Sequence, residues 1–187
     1  MLAYIFGHWE KRNVPQKVYE EKLLNFHTAL KASNPEGFSH SVVFHIKNAP
    51  WSNNSKGSYA DWYILKGTYA LDNLNTAAVS GICKEPHYRI AEDFFNGYGA
   101  LYCHYLGTDE IAGFHNSLWF SKPKGISHKD FYTTMQNYIK DKKASIWKRM
   151  MGLGPSPEFC LFINDSLDFS QKYICIPVKI KSIWQGA

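Results

Sequence analysis

The sequence predicts an α+β fold in which two similar βα units share one chain and bring two antiparallel sheets face to face. Three observations carry this. A strand-like apolar run gives way at a proline to a helix-like run twice, in YIFGHWEKRNVPQKVY (4–19) and in LWFSKPKGISHKDFY (118–132). Tyr19, Leu23, Phe26 and His27 on the first helix are matched 112 positions later by Phe131, Met135, Tyr138 and Ile139. The stretch GPSPEFCLFIND (154–165) then answers GFSHSVVFHIKN (37–48), 117 positions on. Amphipathic elements share similar periods, so chance likeness is the competing explanation.

Residues 2–9 form the first strand. Pro15 suits the opening turn of a helix, where a missing N–H costs nothing, and Glu20 and Glu21 lie near the helix's positive end. Tyr19, Leu23, Phe26, His27 and Leu30 fall at helical spacing and define a buried face. Asn34-Pro35-Glu36-Gly37 stops the helix. HSVVFHI (40–46) is a second strand, a polar stretch of unusual length covers 47–60, and DWYILKG (61–67) is a third strand. Residues 69–81 and 86–97 are helical, and ALYCHYLG (100–107) is a fourth strand. The order β-α-β-β-α-β is the split βαβ, or ferredoxin-like, unit, here over 1–110.

The second unit, 111–187, opens with a strand at 116–122. Ser127 is a good N-cap, and Asp130 three residues on favours a helix N-terminus. KDKKASIWKR (140–149) continues the helical region as a basic, solvated face, and within it Arg149 is the residue suited to bind an anion. GLGPSP (152–157) precedes a strand instead of opening a helix, so it is a turn and no phosphate cradle. Strands follow at 154–165 and 172–184, with Pro177 marking an edge or a bulge. This unit is therefore a truncated β-α-β-β, lacking the last helix and strand.

A four-stranded sheet with helices on one face leaves its other face bare, and that face must be covered. Two such sheets in one chain can cover each other. In this order of elements the chain resembles the dimeric α+β barrel superfamily, in the form where two ferredoxin-like repeats are fused. IWKRMMGLGPSPEFCLF (146–162) also looks like a segment of bacterial and archaeal proteins of unassigned function, which implies no activity. Some barrel relatives carry out cofactor-free acid/base or oxygenase chemistry, and the resemblance extends that expectation to this chain.

Composition narrows the classes. The 12 Tyr, 12 Phe and 6 Trp among 187 residues predict a ring-lined core or cavity. The net charge of +5 is scattered, which serves solubility more than an anionic partner. The start has no basic segment followed by a long apolar one, so no signal peptide is expected, and no apolar run nears the ~20 residues of a membrane helix. Cys83, Cys103, Cys160 and Cys175 form no C-x-x-C pair; buried free thiols and a cytoplasmic location are expected. ADWYILKG lacks the aromatic RNA-binding pattern of RRM domains, so a nucleic-acid partner is not expected.

Strand alternation separates two faces. Ile5, Val42, Phe44, Ile46, Ile64, Leu101, Leu118, Phe120, Phe159, Leu161 and Ile163 are apolar and are assigned to the helices. Tyr4, Phe6, His8, Ser41, Val43, His45, Asp61, Tyr63, Tyr102, His104, Trp119 and Cys160 mix rings with titratable groups and are assigned to a cavity between the sheets. With the strand order 4-1-3-2, His8, His45, Asp61 and Tyr63 meet at one mouth, and the stretch 47–60, with Trp51 and Tyr59, springs from it as a lid.

In the functional reading His8 and His45 transfer protons, Asp61 orients an imidazole and Tyr63 anchors a polar group. Tyr4, Phe6 and Trp119 supply stacking walls, and Trp51, Tyr59, Tyr102, His104 and Arg149 complete the substrate contacts. A metal would need three or four ligands within about 2.0–2.2 Å of one ion, and the eight histidines show no such motif, so neither metal nor other cofactor is expected. The expected partner is a small, partly apolar molecule. In the alternative reading the protein is non-enzymatic, its aromatics are core and interface, and the missing last strand leaves an edge for a homo-oligomer.

Overall fold

A computed structural model describes residues 1–52, 57–152, 156–165 and 173–186. In chain order its elements are β1 (Leu2–Glu10), α1 (Gln16–Ser33), β2 (Phe38–Lys47), β3 (Ser58–Leu65), α2 (Tyr69–Ala78), a 3-10 turn (Gly81–Cys83), α3 (Lys84–Asp93), β4 (Phe94–Gly107), β5 (Asn116–Phe120), α4 (His128–Ile139), β6 (Ala144–Gly152), β7 (Phe159–Ile163) and β8 (Cys175–Gln185). The eight strands close into an antiparallel barrel in the order β1-β3-β2-β8-β5-β7-β6-β4. Its first four strands run β4-β1-β3-β2 and its last four β8-β5-β7-β6, the same 4-1-3-2 order in each half, joined by the β2–β8 and β4–β6 pairs.

Helix ends follow local chemistry. Pro15 occupies the N-cap of α1 in extended geometry, and Asn34 closes that helix in the left-handed region, its N–H donating to Leu30 O. Ser127 caps α4, its Oγ accepting from Asp130 N at 3.0 Å.

The second half departs from the expectation in one element. Residues 144–152 are a strand, not a continuation of the helix. Asp141 adopts φ 63° just after α4, which stops the helix before the basic run. Ile146 then points under α4 while Trp147 points into the barrel, an alternation that Lys148 and Arg149 hide in the sequence. The second half thus holds four strands. The strand at Phe159–Ile163 takes the place of β3, and β6 takes the place of β2, so the pairing of 154–165 with 37–48 gives way. Closure also leaves no edge among the described strands, which removes the basis for an oligomer formed through one. Residues 53–56 of the polar stretch, 153–155 of the glycine turn and 166–172 lie outside the described residues.

The barrel interior is packed with rings. Trp62 sits 5.6 Å from Trp147 and 5.0 Å from Phe162, with Phe44, Tyr102 and Trp119 in the same cluster. Two of the indoles are satisfied by the serine two residues earlier on their own strand: Trp119 Nε1 donates to Ser117 Oγ at 3.0 Å and Trp147 Nε1 to Ser145 Oγ at 2.8 Å. Small residues face these rings from the other half, Ala3, Ala60 and Ala100 among them. At Gly7 a Cβ would meet the ring of Tyr98 at 2.2 Å, so only glycine admits that tyrosine.

This packing reverses the face assignment for β1, β2 and β3. Ile5, Val42, Phe44, Ile46 and Ile64 line the interior. Tyr4, Phe6, Val43 and Tyr63 lie under the helices. For β4, β5 and β7 the assignment stands: Leu101, Leu118, Phe120, Phe159, Leu161 and Ile163 pack on the helical side, and Tyr102, Trp119 and Cys160 face inward. The cause is visible in β3, where every residue from Ser58 to Leu65 is buried. A strand covered on both faces carries no polarity contrast to say which side is which.

Candidate active site

With its interior filled, the barrel keeps its open space outside. A cavity of about 400 Å³ lies between the outer face of β1 and β3 and the helices α1, α2 and α3. Such a volume suits a small molecule. Phe6, Leu23, Phe26, Leu74, Ile90 and Phe94 make most of its wall apolar. Its polar groups concentrate on the sheet side, at His8, Asp61 and Tyr63, with Tyr19 reaching them from α1.

Asp61 is the centre of this group and is fully buried. Opposite it on β1 is Phe6, so the carboxylate reaches diagonally to His8, whose own partner in register is Tyr59. His8 Nε2 lies 3.1 Å from Asp61 Oδ1. Tyr63 donates its hydroxyl to Oδ2 at 3.0 Å. His27 Nε2 stands 3.3 Å from the same oxygen, within ion-pair reach but not aligned as a hydrogen bond. Burial alone would push the Asp61 carboxyl up; the imidazoles of His8 and His27 outweigh it and hold the group well below the usual carboxylate range.

An ionised carboxylate only accepts, so the proton between them sits on His8 Nε2. That leaves His8 Nδ1 facing Tyr19 Oη at 2.8 Å. Burial, reinforced by the Asp61 charge, pushes the Tyr19 hydroxyl far up, so it remains a neutral phenol. The result is a line Tyr19–His8–Asp61 with Tyr63 as a second donor to the carboxylate. Behind it His27 Nδ1 pairs with Ser41 Oγ at 2.9 Å, and Ser41 accepts from Trp184 Nε1 at 3.1 Å. This carboxylate–imidazole–hydroxyl order is the one that activates a hydroxyl or carries a proton.

The structure brings together His8, Asp61, Tyr63, Tyr4 and Phe6 in this cavity. It places the other expected residues elsewhere. His45 is parted from His8 by the ring of Tyr59, whose centroid is 5.2 Å from one imidazole and 5.6 Å from the other; neither His45 nor Tyr59 lines the cavity. Trp51 does not cover His8: it packs on Trp119 at 5.1 Å and donates to Tyr98 Oη, closing the barrel interior. Tyr102 and Trp119 belong to that interior. His104 meets Trp147 and its Nε2 lies 3.1 Å from Thr108 O. Arg149 is drawn to the Ser156 carbonyl, since β6 carries it away from the helices.

Three residues of the site had no strand pattern to reveal them. Tyr19 and His27 are on α1, where helical spacing marked them as buried without saying against what. His87 lines the cavity from α3. A histidine on an otherwise apolar helix face is the signal that could have pointed to His27. No group of three or more metal-ligating side chains is assembled among the described residues. No helix there is long and apolar enough to cross a membrane, and all four cysteines are free.

No protein-family model matches the chain, and no curated protein matches it in sequence. Solved structures do match its architecture. A candidate monooxygenase from Fusobacterium nucleatum subsp. nucleatum aligns over 98% of this chain and 93% of its own, with a TM-score of 0.63 and 10% identity. The chain has the α+β barrel fold. An anthrone oxidase-like protein aligns over 98% of this chain and 92% of its own at a TM-score of 0.55 and 10% identity. A candidate chlorite dismutase aligns over 98% and 95%, at 0.56 and 8%. At these identities the likeness is one of α+β barrel fold.

Proposed function

We propose that the protein is an enzyme that binds a small, mostly apolar, ring-bearing molecule between sheet and helices and removes a proton from it without a cofactor. The observation that carries this reading is the Tyr19–His8–Asp61 line on the wall of an otherwise apolar cavity. The substrate proton passes to Tyr19 Oη as the Tyr19 hydroxyl proton passes to His8 Nδ1. His8 becomes imidazolium, and its charge is met by Asp61. Each step moves one proton, and the charge left on the substrate is delocalised over its rings. Tyr63 and Tyr4 flank the same wall, their rings stacked at 5.9 Å.

A carbanion or phenolate of this kind reacts with dioxygen, which links the reading to the oxygenase and anthrone oxidase-like neighbours. Anthrone, a three-ring ketone with an acidic C–H, is therefore the first substrate to offer. The balanced reaction is anthrone plus O2 giving anthraquinone plus water. Wild-type protein is expected to accelerate anthrone loss and O2 uptake, and Tyr19→Phe to slow both by about 10²–10⁴-fold. Equal rates for the two proteins contradict the relay.

A second reading rests on the same contacts. Both nitrogens of His8 are already engaged, by Tyr19 and by Asp61, as in a buried brace that only binds. In that case 1-naphthol binds with a dissociation constant on the order of 10–100 μM, and anthrone is not consumed.

A further inference from the structure

The carboxylate at the centre of the site faces a second imidazole that the cavity does not reach. His27, on α1, is 0% exposed and is no part of the cavity wall, yet its Nε2 stands 3.3 Å from Asp61 Oδ2. Its ring stacks on Tyr63 at 5.4 Å, and Tyr63 donates to the same oxygen. Its other nitrogen, Nδ1, lies 2.9 Å from Ser41 Oγ on β2. Trp184 Nε1, on β8, lies 3.1 Å from that hydroxyl. β8 pairs with β2 here, Trp184 opposite Val43, which sets the half-buried indole diagonally beside Ser41.

The direction of each contact follows from what each group can do. An indole N–H only donates, so Ser41 Oγ accepts from Trp184, and the Ser41 hydroxyl proton turns to His27 Nδ1. A neutral imidazole carries one N–H. Placed on Nδ1, it would set the bare lone pair of Nε2 against a carboxylate. Placed on Nε2, it turns a positive hydrogen toward the charge, an attraction that survives off the line of a hydrogen bond. The chain therefore runs one way: Trp184 N–H to Ser41, Ser41 O–H to His27 Nδ1, His27 Nε2–H toward Asp61 Oδ2. His8 repeats the arrangement at Oδ1, with Tyr19 behind its Nδ1. Two imidazoles of one tautomer, each backed by a hydroxyl, thus converge on a single carboxylate.

We infer that His27 is a positioning residue: Trp184 and Ser41 fix its Nε2–H tautomer, and it in turn holds Asp61 with Oδ1 presented to His8. Its part in catalysis rests on the reading of Tyr19–His8–Asp61 as a proton relay. It brings the last strand of the chain into a relay otherwise built on β1, β3 and α1.

Long-range 1H–15N NMR of histidine-labelled protein reads the tautomers with no substrate present. Near neutral pH, wild-type His8 and His27 should each show a protonated Nε2 and a bare Nδ1, the signals being assigned with His8→Gln and His27→Gln. In Trp184→Phe and in Ser41→Ala the two His27 nitrogen signals should move toward the averaged position of exchanging tautomers, and the His8 Nε2–H proton signal should shift or broaden with them. Turnover of anthrone should fall in both variants by roughly tenfold in kcat with KM within about twofold, as expected when an aligning hydrogen bond is lost.

A wild-type His27 protonated on Nδ1, or on both nitrogens, overturns the inference. So does a His27 tautomer that neither variant moves, or a His27 change that leaves the His8 signal where it was. If the NMR result holds and wild-type protein does not consume anthrone, the relay reading fails while the positioning of Asp61 stands. Anthrone turnover with kcat unchanged in both variants keeps the relay and overturns the positioning role.

Discussion

Asp61→Ala is expected to lower the unfolding free energy by about 3–5 kcal/mol, the usual consequence of removing one partner from a buried charge pair. The carboxylate pairs with His8 at 3.1 Å and accepts from Tyr63 at 3.0 Å, and His27 stands 3.3 Å away within ion-pair reach. Alanine leaves the two imidazoles and the phenol without the carboxylate they face. Urea unfolding followed by circular dichroism measures the loss. The effect also has a sign with pH. The folded-state pKa of Asp61 lies below the usual ~3.9. The stability it supplies is therefore full above about pH 4 and is lost as pH falls through the folded value. The gap between wild type and Asp61→Ala should narrow in acid below pH ~4. A gap that widens there contradicts the pairing.

Trp62→Ala should cost a similar amount, about 3–5 kcal/mol, by a different route. Trp62 is 1% exposed and touches Trp119, Trp147, Phe162 and Tyr102, four rings contributed by four strands around the barrel. These rings cannot all move in to fill the space an indole leaves, so a cavity remains. For a chain of this length the melting temperature should fall by about 10 °C. Binding of 1-naphthol should survive at temperatures where the variant is folded, because Trp62 faces the opposite side of β3 from Asp61 and Tyr63. Loss of stability with retained binding separates the packed interior from the site. Loss of binding in a folded variant would mean that the ligand enters the barrel.

Much of this architecture was legible from residue patterns, and the parts that were not have physical causes. The buried faces of α1 and α4 follow from a 3.6-residue period: Tyr19, Leu23, Phe26, His27 and Leu30 are buried on one and Phe131, Met135 and Ile139 on the other, while Tyr138, expected with them, is half-buried. Strand order in the first half followed from the order of elements. β6 was hidden because its buried core, Ala144 to Trp147, is four residues long and is embedded between lysines on both sides. The direction of the faces was hidden because β3 is buried on both. His8, Asp61 and Tyr63 could be grouped from register, since alternate residues on neighbouring strands share a face. What register could not say was which face, nor which helix would arrive over it. His45 is the instructive case: it shares the face with His8, yet one intervening tyrosine ring is enough to separate them.

The two serine–tryptophan pairs deserve a place beside the site residues. Ser117 and Trp119, like Ser145 and Trp147, stand two apart on a strand and so share a face, which lets the hydroxyl take the indole N–H inside the barrel. Polar satisfaction of this kind explains how these two tryptophans can be buried inside the barrel without leaving their indole N–H groups unpaired. The open space lies on the sheet's other face, between β1, β3 and the helices α1, α2 and α3.

The most direct test is a crystal structure of the wild-type protein with 1-naphthol bound. The account predicts the ring system between β1, β3 and the three helices α1, α2 and α3, lying against Phe6 and Phe26, with its hydroxyl at Tyr19. A ligand found among Trp62, Trp119 and Trp147 inside the barrel contradicts it.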